Sequence, residues 1–221
     1  KTGMDTIKAM IEEHKIIVIC RGVYNDTLLK TMEALYKGGI RLAEVTFDQR
    51  SDDYTDTLDS IRMLNEHFCG RMAIGAGTVV NEQQVELAHQ AQAAYIISPN
   101  VNEKVIRKTK ELGMVSIPGA LSPTEVLNAH DCGADYVKLF PAARMKAAYI
   151  KDLMGPMPHV KFIATAGIHE DNITEFANVG CTGYGISGRL MDKHVIAEGN
   201  FEELQHRAEV FLARLQKGKV E

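Results

Sequence analysis

One lysine in the sequence stands where a lysine is hard to keep. Tyr136-Val137-Lys138-Leu139-Phe140-Pro141 is a short apolar run, with Gly133 ahead of it and Pro141 closing it, and it reads as a buried strand. Strand alternation puts Tyr136, Lys138 and Phe140 on one face and Val137 and Leu139 on the other. Burying an unpartnered ammonium is costly. In a water-poor interior, however, a lysine gives up its proton more readily and becomes a nucleophilic amine. Such an amine attacks a ketone to form a Schiff base. At a sheet edge the same lysine would simply be solvated, so its surroundings must separate the two readings.

Glu44 raises the same question. It shares a strand face with Leu42 and Thr46 in the segment Leu42–Phe47, which is otherwise Leu, Ala, Val, Thr and Phe. Schiff-base chemistry needs proton transfers at a carbinolamine and at a substrate hydroxyl. A buried carboxyl group whose surroundings set its pKa suits that work. The structural alternative is an ion pair, with Lys138 itself as the base.

The elements that would position these residues alternate regularly. After a short helix over 5–14, strands are expected at 16–20, 42–47, 72–74, 95–97, 115–117, 136–141, 162–164 and 182–186. Helices are expected between and after them, at 25–37, 56–68, from Asn81, at 103–112, 123–130, 147–154, 172–179 and 201–215. Asn81 with Gln84 reads as a capping box. Eight buried strands alternating with helices predict an α/β fold, a (β/α)8 TIM barrel. One domain over residues 4–221 with an extra N-terminal helix is expected. Lys1-Thr2-Gly3 reads as a cloning remnant ahead of Met4. An open doubly wound sheet is the competing topology, but G-x-G-x-x-G is absent after the first strand.

Barrel active sites lie at the C-terminal strand ends. Polar residues gather there: Arg21, Glu44 with Thr46, Thr78, Pro99-Asn100, Lys138 with Phe140, Thr165-Ala166-Gly167, and Gly185-Ile186-Ser187-Gly188. The last two loops occupy the places where such barrels often bind phosphate through backbone N–H groups. The guanidinium of Arg21 suits a carboxylate or phosphate. Of the histidines, only His169 falls close behind a strand end.

The totals narrow the class. The 221 residues are 45% hydrophobic, with a net charge of −4 and no basic run, so nucleic acid is not an expected partner. No apolar run reaches transmembrane length and no secretory signal is seen, so no membrane association is expected. Cys20, Cys69, Cys132 and Cys181 are scattered, without zinc or disulfide spacing, which suggests a reducing cytoplasm and no metal or other cofactor.

Six short pieces in order resemble the 2-keto-3-deoxy-6-phosphogluconate / 4-hydroxy-2-oxoglutarate aldolase family. They are Gly38-Gly39-Ile40 with Glu44-Val45-Thr46, Gly75-Ala76-Gly77-Thr78, Ser98-Pro99, Ile117-Pro118-Gly119, and Val137-Lys138-Leu139-Phe140-Pro141-Ala142. The resemblance implies a class I lyase, usually a homotrimer, that cleaves a 2-keto-4-hydroxy acid to pyruvate and an aldehyde. Lys138 would be the Schiff-base lysine and Glu44 the proton-transfer residue. Thr78, Pro99 and Phe140 would line the pyruvate half, while Thr165, Gly167, Ser187 and Gly188 would hold phosphate. The sequence departs from the family in two places. Asp48 stands where an arginine usually holds the substrate carboxylate, leaving Arg50 or Arg21 to substitute. Ala166 replaces a usual glycine, and Ser187-Gly188 looks like an exchanged pair. The aldehyde partner, its phosphate and the C4 stereochemistry therefore stay open. A phosphosugar isomerase or epimerase on the same barrel would leave Lys138 unexplained. A non-catalytic sugar-acid-binding protein would keep the pocket but form no adduct.

Overall fold

The computed structural model describes residues 3–217, so Lys1 and Thr2 lie outside it, while Gly3 already belongs to the first helix. The strands are β1 (Ile16–Cys20), β2 (Leu42–Thr46), β3 (Ala73–Gly77), β4 (Tyr95–Ile97), β5 (Val115–Ile117), β6 (Gly119–Ala120), β7 (Val137–Leu139), β8 (Phe162–Thr165) and β9 (Gly183–Ile186). The helices are α1 (Gly3–His14), α2 (Asn25–Lys37), α3 (Thr55–Phe68), α4 (Glu82–Gln90), α5 (Glu103–Glu111), α6 (Pro123–Asp131), α7 (Ala142–Met154), α8 (Ile173–Asn178), α9 (Lys193–Ala197) and α10 (Phe201–Lys217).

All strand pairs are parallel, in the order β5-β4-β3-β2-β1-β9-β8-β7-β6. β5 and β6 are one stave interrupted at Pro118, which has no N–H to give to a ladder. On one side the stave pairs with β4. On the other, the Tyr136 and Lys138 N–H groups donate to the carbonyls of Ser116 and Pro118 at 3.2 and 2.8 Å. The sheet thus closes on itself as eight staves, the expected barrel.

Alternation splits the core in two. Residues such as Val18, Ala43, Val45, Ile74, Leu139 and Phe162 pack outward under the helices. Ile17, Leu42, Ala73, Tyr95, Ile97, Val115, Ile117, Tyr136 and Ile163 fill the barrel, and Ile11 of α1 plugs its N-terminal end. Among the described residues no helix is long and apolar enough to cross a membrane.

Several local expectations are corrected. β3 runs on to Gly77, because its glycines are strand residues that make room inside the barrel. A Cβ on Gly75 would collide with the Tyr95 ring, and one on Gly77 with the Glu44 carboxylate. Asn81 does cap α4 by accepting from the Gln84 N–H at 2.8 Å, but the Gln84 side chain accepts from the Val80 N–H instead of closing the box. The reciprocal box is at Ser122 and Glu125. α9 was not expected. α7 starts five residues earlier than expected, with a left-handed break at Lys146 (φ 68°) just before the part that was.

Candidate active site

Lys138 sits at the middle of β7, with Gly119 and Ile163 as its neighbours across the ladder. Its inward-facing chain is 8% exposed. The ammonium lies 4.6 Å from the centre of the Phe140 ring, which stands half open at the mouth. A cation over an aromatic face is attracted by the ring's quadrupole. Burial pushes the Lys138 pKa down; the Glu44 charge opposes that and the Arg21 charge assists it.

Glu44 is 3% exposed and sits between Ile19 of β1 and Gly75 of β3. Burial raises its pKa, against the opposing pull of Lys138 and Arg21. An amine and a carboxyl group, each moved towards its neutral form by burial, therefore share one interior. That pairing can supply a nucleophilic nitrogen and a group able to hold or release a proton near it.

The mouth is built from the following loops. Arg21, just past β1, donates to the Thr78 hydroxyl at 3.0 Å. Thr78 holds a left-handed backbone (φ 54°) at the end of β3. Thr46 is buried on the inner face of β2, and its hydroxyl donates to the Cys20 carbonyl at 3.4 Å. Pro99 packs its carbonyl against Gly119, the ladder neighbour of Lys138. Thr165 is buried at the end of β8, beside Gly185. Beyond it, Ala166 keeps the positive φ (81°) that a glycine would adopt without strain. Gly167, His169, Ser187 and Gly188 line one cavity of about 510 Å³.

Arg50 is placed differently from the rest. Its side chain is 90% exposed and bound at both ends to Asp48, with contacts of 2.7–3.2 Å. It lines a hollow with Arg21, Thr46 and Thr78, but at the rim. The residue between, Gln49, turns inward: it donates to the Thr78 carbonyl at 2.7 Å and accepts from buried Gln84 at 2.9 Å. This amide link, which ties the loop after β2 to Thr78, was not foreseen. Nor was Tyr95, whose hydroxyl donates to the carbonyl of Ala43, beside Glu44, at 2.5 Å. Gly75, facing that ring, was the available signal.

The family described as KDPG and KHG aldolase matches residues 7–207. The 2-dehydro-3-deoxy-phosphogluconate aldolase of Treponema pallidum is 31% identical over 206 residues, covering 91% of this chain and 93% of that one. Its namesake from Haemophilus influenzae is 30% identical over 199 residues, 88% of this chain and 89% of the relative. Among solved structures, the native KDPGal structure superposes with a TM-score of 0.83 at 27% identity, over 92% of this chain and 95% of that one.

Proposed function

The chain belongs to the KDPG and KHG aldolase family, and from that premise we propose that Lys138 and Glu44 carry a class I aldol cleavage in it. The enzyme is a lyase. Its substrate is a 2-keto-4-hydroxy acid, such as 2-keto-3-deoxy-6-phosphogluconate or 4-hydroxy-2-oxoglutarate, and its products are pyruvate and an aldehyde. The observation that carries the assignment is one lysine, 8% exposed, and one glutamate, 3% exposed, on the inward faces of two staves of one barrel, each acting electrostatically on the other.

The free amine of Lys138 attacks the C2 carbonyl carbon, and the carbinolamine loses water to give an iminium. Glu44 takes the proton of the C4 hydroxyl, directly or through water. The C3–C4 bond then breaks, its electron pair forms an enamine, and the C4 carbon leaves as the aldehyde. Protonation at C3 regenerates the iminium, and water releases pyruvate and the amine. Thr78, Pro99 and Phe140 frame the pyruvate half, and Arg21 faces the substrate carboxylate. Thr165, Gly167, Ser187 and Gly188 surround the far end of the substrate.

The test is pyruvate with borohydride. Reduction should fix one pyruvyl group on the protein, and peptide mapping should place it on Lys138. A label on another lysine, or no label on active protein, removes the mechanism. An isomerase or a mere binding protein would take no label. A cytoplasmic homotrimer belongs to the same proposal and is checked by sedimentation.

A further inference from the structure

Thr78 stands where three loops of the barrel mouth meet. It is a β-branched residue in the left-handed region (φ 54°), a conformation such residues keep only where their surroundings over-determine it. Its hydroxyl accepts from the Arg21 guanidinium at 3.0 Å. Its carbonyl accepts from the Gln49 amide at 2.7 Å. The turn after β3 is thus held on one side by the loop after β1 and on the other by the loop after β2.

Gln49 is itself held. Buried Gln84, in the first turn of α4, donates to the Gln49 side-chain oxygen at 2.9 Å and to the Tyr54 hydroxyl at 3.2 Å. The Gln84 side-chain oxygen accepts from the Val80 N–H at 2.9 Å. Both amides are therefore oriented from the ends of the chain. The Thr78 carbonyl can only accept, so it faces the Gln49 NH2 group; the Val80 N–H can only donate, so it faces the Gln84 oxygen. Asn81 caps the helix that carries Gln84, and the Tyr54 ring packs edge-on against Phe47. A strut runs from the capped start of α4 through Gln84 and Gln49 to Thr78. It ends at Arg21, whose charge acts on both Lys138 and Glu44. Asp48 and Arg50, on either side of Gln49, pair with each other at the rim instead.

We infer that Gln49 is a positioning residue for substrate binding: by holding the Thr78 carbonyl it sets where Arg21 presents its guanidinium to the substrate carboxylate. The inference rests on the aldolase reading, which gives Arg21 that carboxylate. Gln49 lines the same hollow as Arg21, Thr46 and Thr78. Its amide hydrogens, however, point at Thr78 and Gln84, so it acts through Arg21 and not on the substrate. Its removal does not orphan Gln84, which keeps Tyr54 and Val80.

The probe is pyruvate, which carries the carboxylate, trapped on the protein with borohydride over a range of concentrations. Gln49→Met keeps the length of the side chain and removes its hydrogen bonds. The pyruvate concentration for half-maximal trapping should rise roughly 2- to 10-fold, the scale for one hydrogen bond, while the yield at saturation stays at that of the parent. Added to Arg21→Ala, Gln49→Met should shift that concentration by less than about 2-fold, because the group it positions is gone. A merely structural residue would lower the saturating yield and leave the half-maximal concentration in place. An unmoved half-maximal concentration overturns the inference, and so does an effect that adds in full to that of Arg21→Ala. Parent protein that takes no label at Lys138 removes the aldolase reading and this inference with it. A labelled parent with an unmoved variant removes the inference alone.

Discussion

At the closed end of the barrel, Asp135 lies just ahead of β7 with its side chain 7% exposed. Lys8 of α1 meets one carboxylate oxygen at 3.0 Å, and Lys110 of α5 and the Ser116 N–H meet the other at 2.7 and 2.8 Å. At the open end, three residues further along the same strand, Lys138 is buried to a similar degree. Among the described residues neither it nor Glu44 forms an ion pair or a side-chain hydrogen bond; they feel each other through the field alone. The closed end neutralises its buried charge by contact and gains rigidity. The open end gives its buried amine and carboxyl group no neutralising contact partner, and burial moves each towards its neutral form. Two positions three residues apart therefore differ in how many partners each buried charge is given, and the proposed mechanism uses the one with none.

Changes at the open end should have the largest effect on activity and none of the stability cost expected of a core residue. Lys138→Met should abolish turnover and pyruvate trapping, because no amine remains. Glu44→Gln should slow turnover by roughly 10²- to 10⁴-fold while still trapping some pyruvate. Thermal unfolding of Lys138→Met should match or exceed the parent, because an apolar chain replaces a desolvated ammonium. The pH dependence has a defined sign. The native pKa of Lys138 lies below the ordinary 10.5, so the unfolded chain holds the proton more tightly. The resulting destabilisation is full at pH below the native pKa and fades as pH rises towards 10.5. The advantage of Lys138→Met should shrink over that window. A variant less stable than the parent at neutral pH would show that the open end is structural too.

Removing the compensated charge should do the reverse. Asp135→Ala should cost about 1.5–3 kcal/mol of stability, the scale for losing hydrogen bonds to a buried charged group. It should leave kcat/KM of the folded protein close to the parent value. Urea titration with parallel kinetics checks this. A large loss of activity at full folding would mean that the two ends are coupled through β7.

The open half of this division was legible beforehand, because it depends on periodicity and on residue types out of place; Asp135 and its two lysines were not singled out, because their partners come from α1 and α5. Lys138 and Glu44 stand out as charged residues within apolar strands, and eight repeats of strand and helix leave few topologies. The missed features are those whose cause lies across the barrel. Gly75 and Gly77 look like a loop unless the Tyr95 ring and the Glu44 carboxylate opposite them are known. α9 has only five residues, too few for a periodic stripe. Arg50 was a candidate by proximity in sequence, but Asp48 holds it at the rim.

That last placement gives the smallest and most discriminating prediction. The hydrogen bonds from Arg50 pull the Asp48 pKa down to about 2, so the pair is fully charged at any working pH. It also lies at the rim, with Arg50 90% and Asp48 38% exposed, and such exposed pairs contribute little. Gln49, by contrast, is fastened through Thr78 and Gln84, so the loop does not need the pair to keep its course. Arg21 donates to Thr78, and its charge acts on both Lys138 and Glu44; in the proposed mechanism it is the cation that meets the substrate carboxylate. Arg21→Ala should therefore lower kcat/KM by roughly 10- to 150-fold, mainly through KM. Arg50→Ala and Asp48→Ala should each change it by no more than about 5-fold. If Arg50→Ala matches Arg21→Ala, the rim pair must open when substrate binds, and the carboxylate belongs to Arg50. If Asp48→Ala alone raises kcat/KM well beyond that range, Asp48 repels the substrate, and the rim is a selectivity element in its own right.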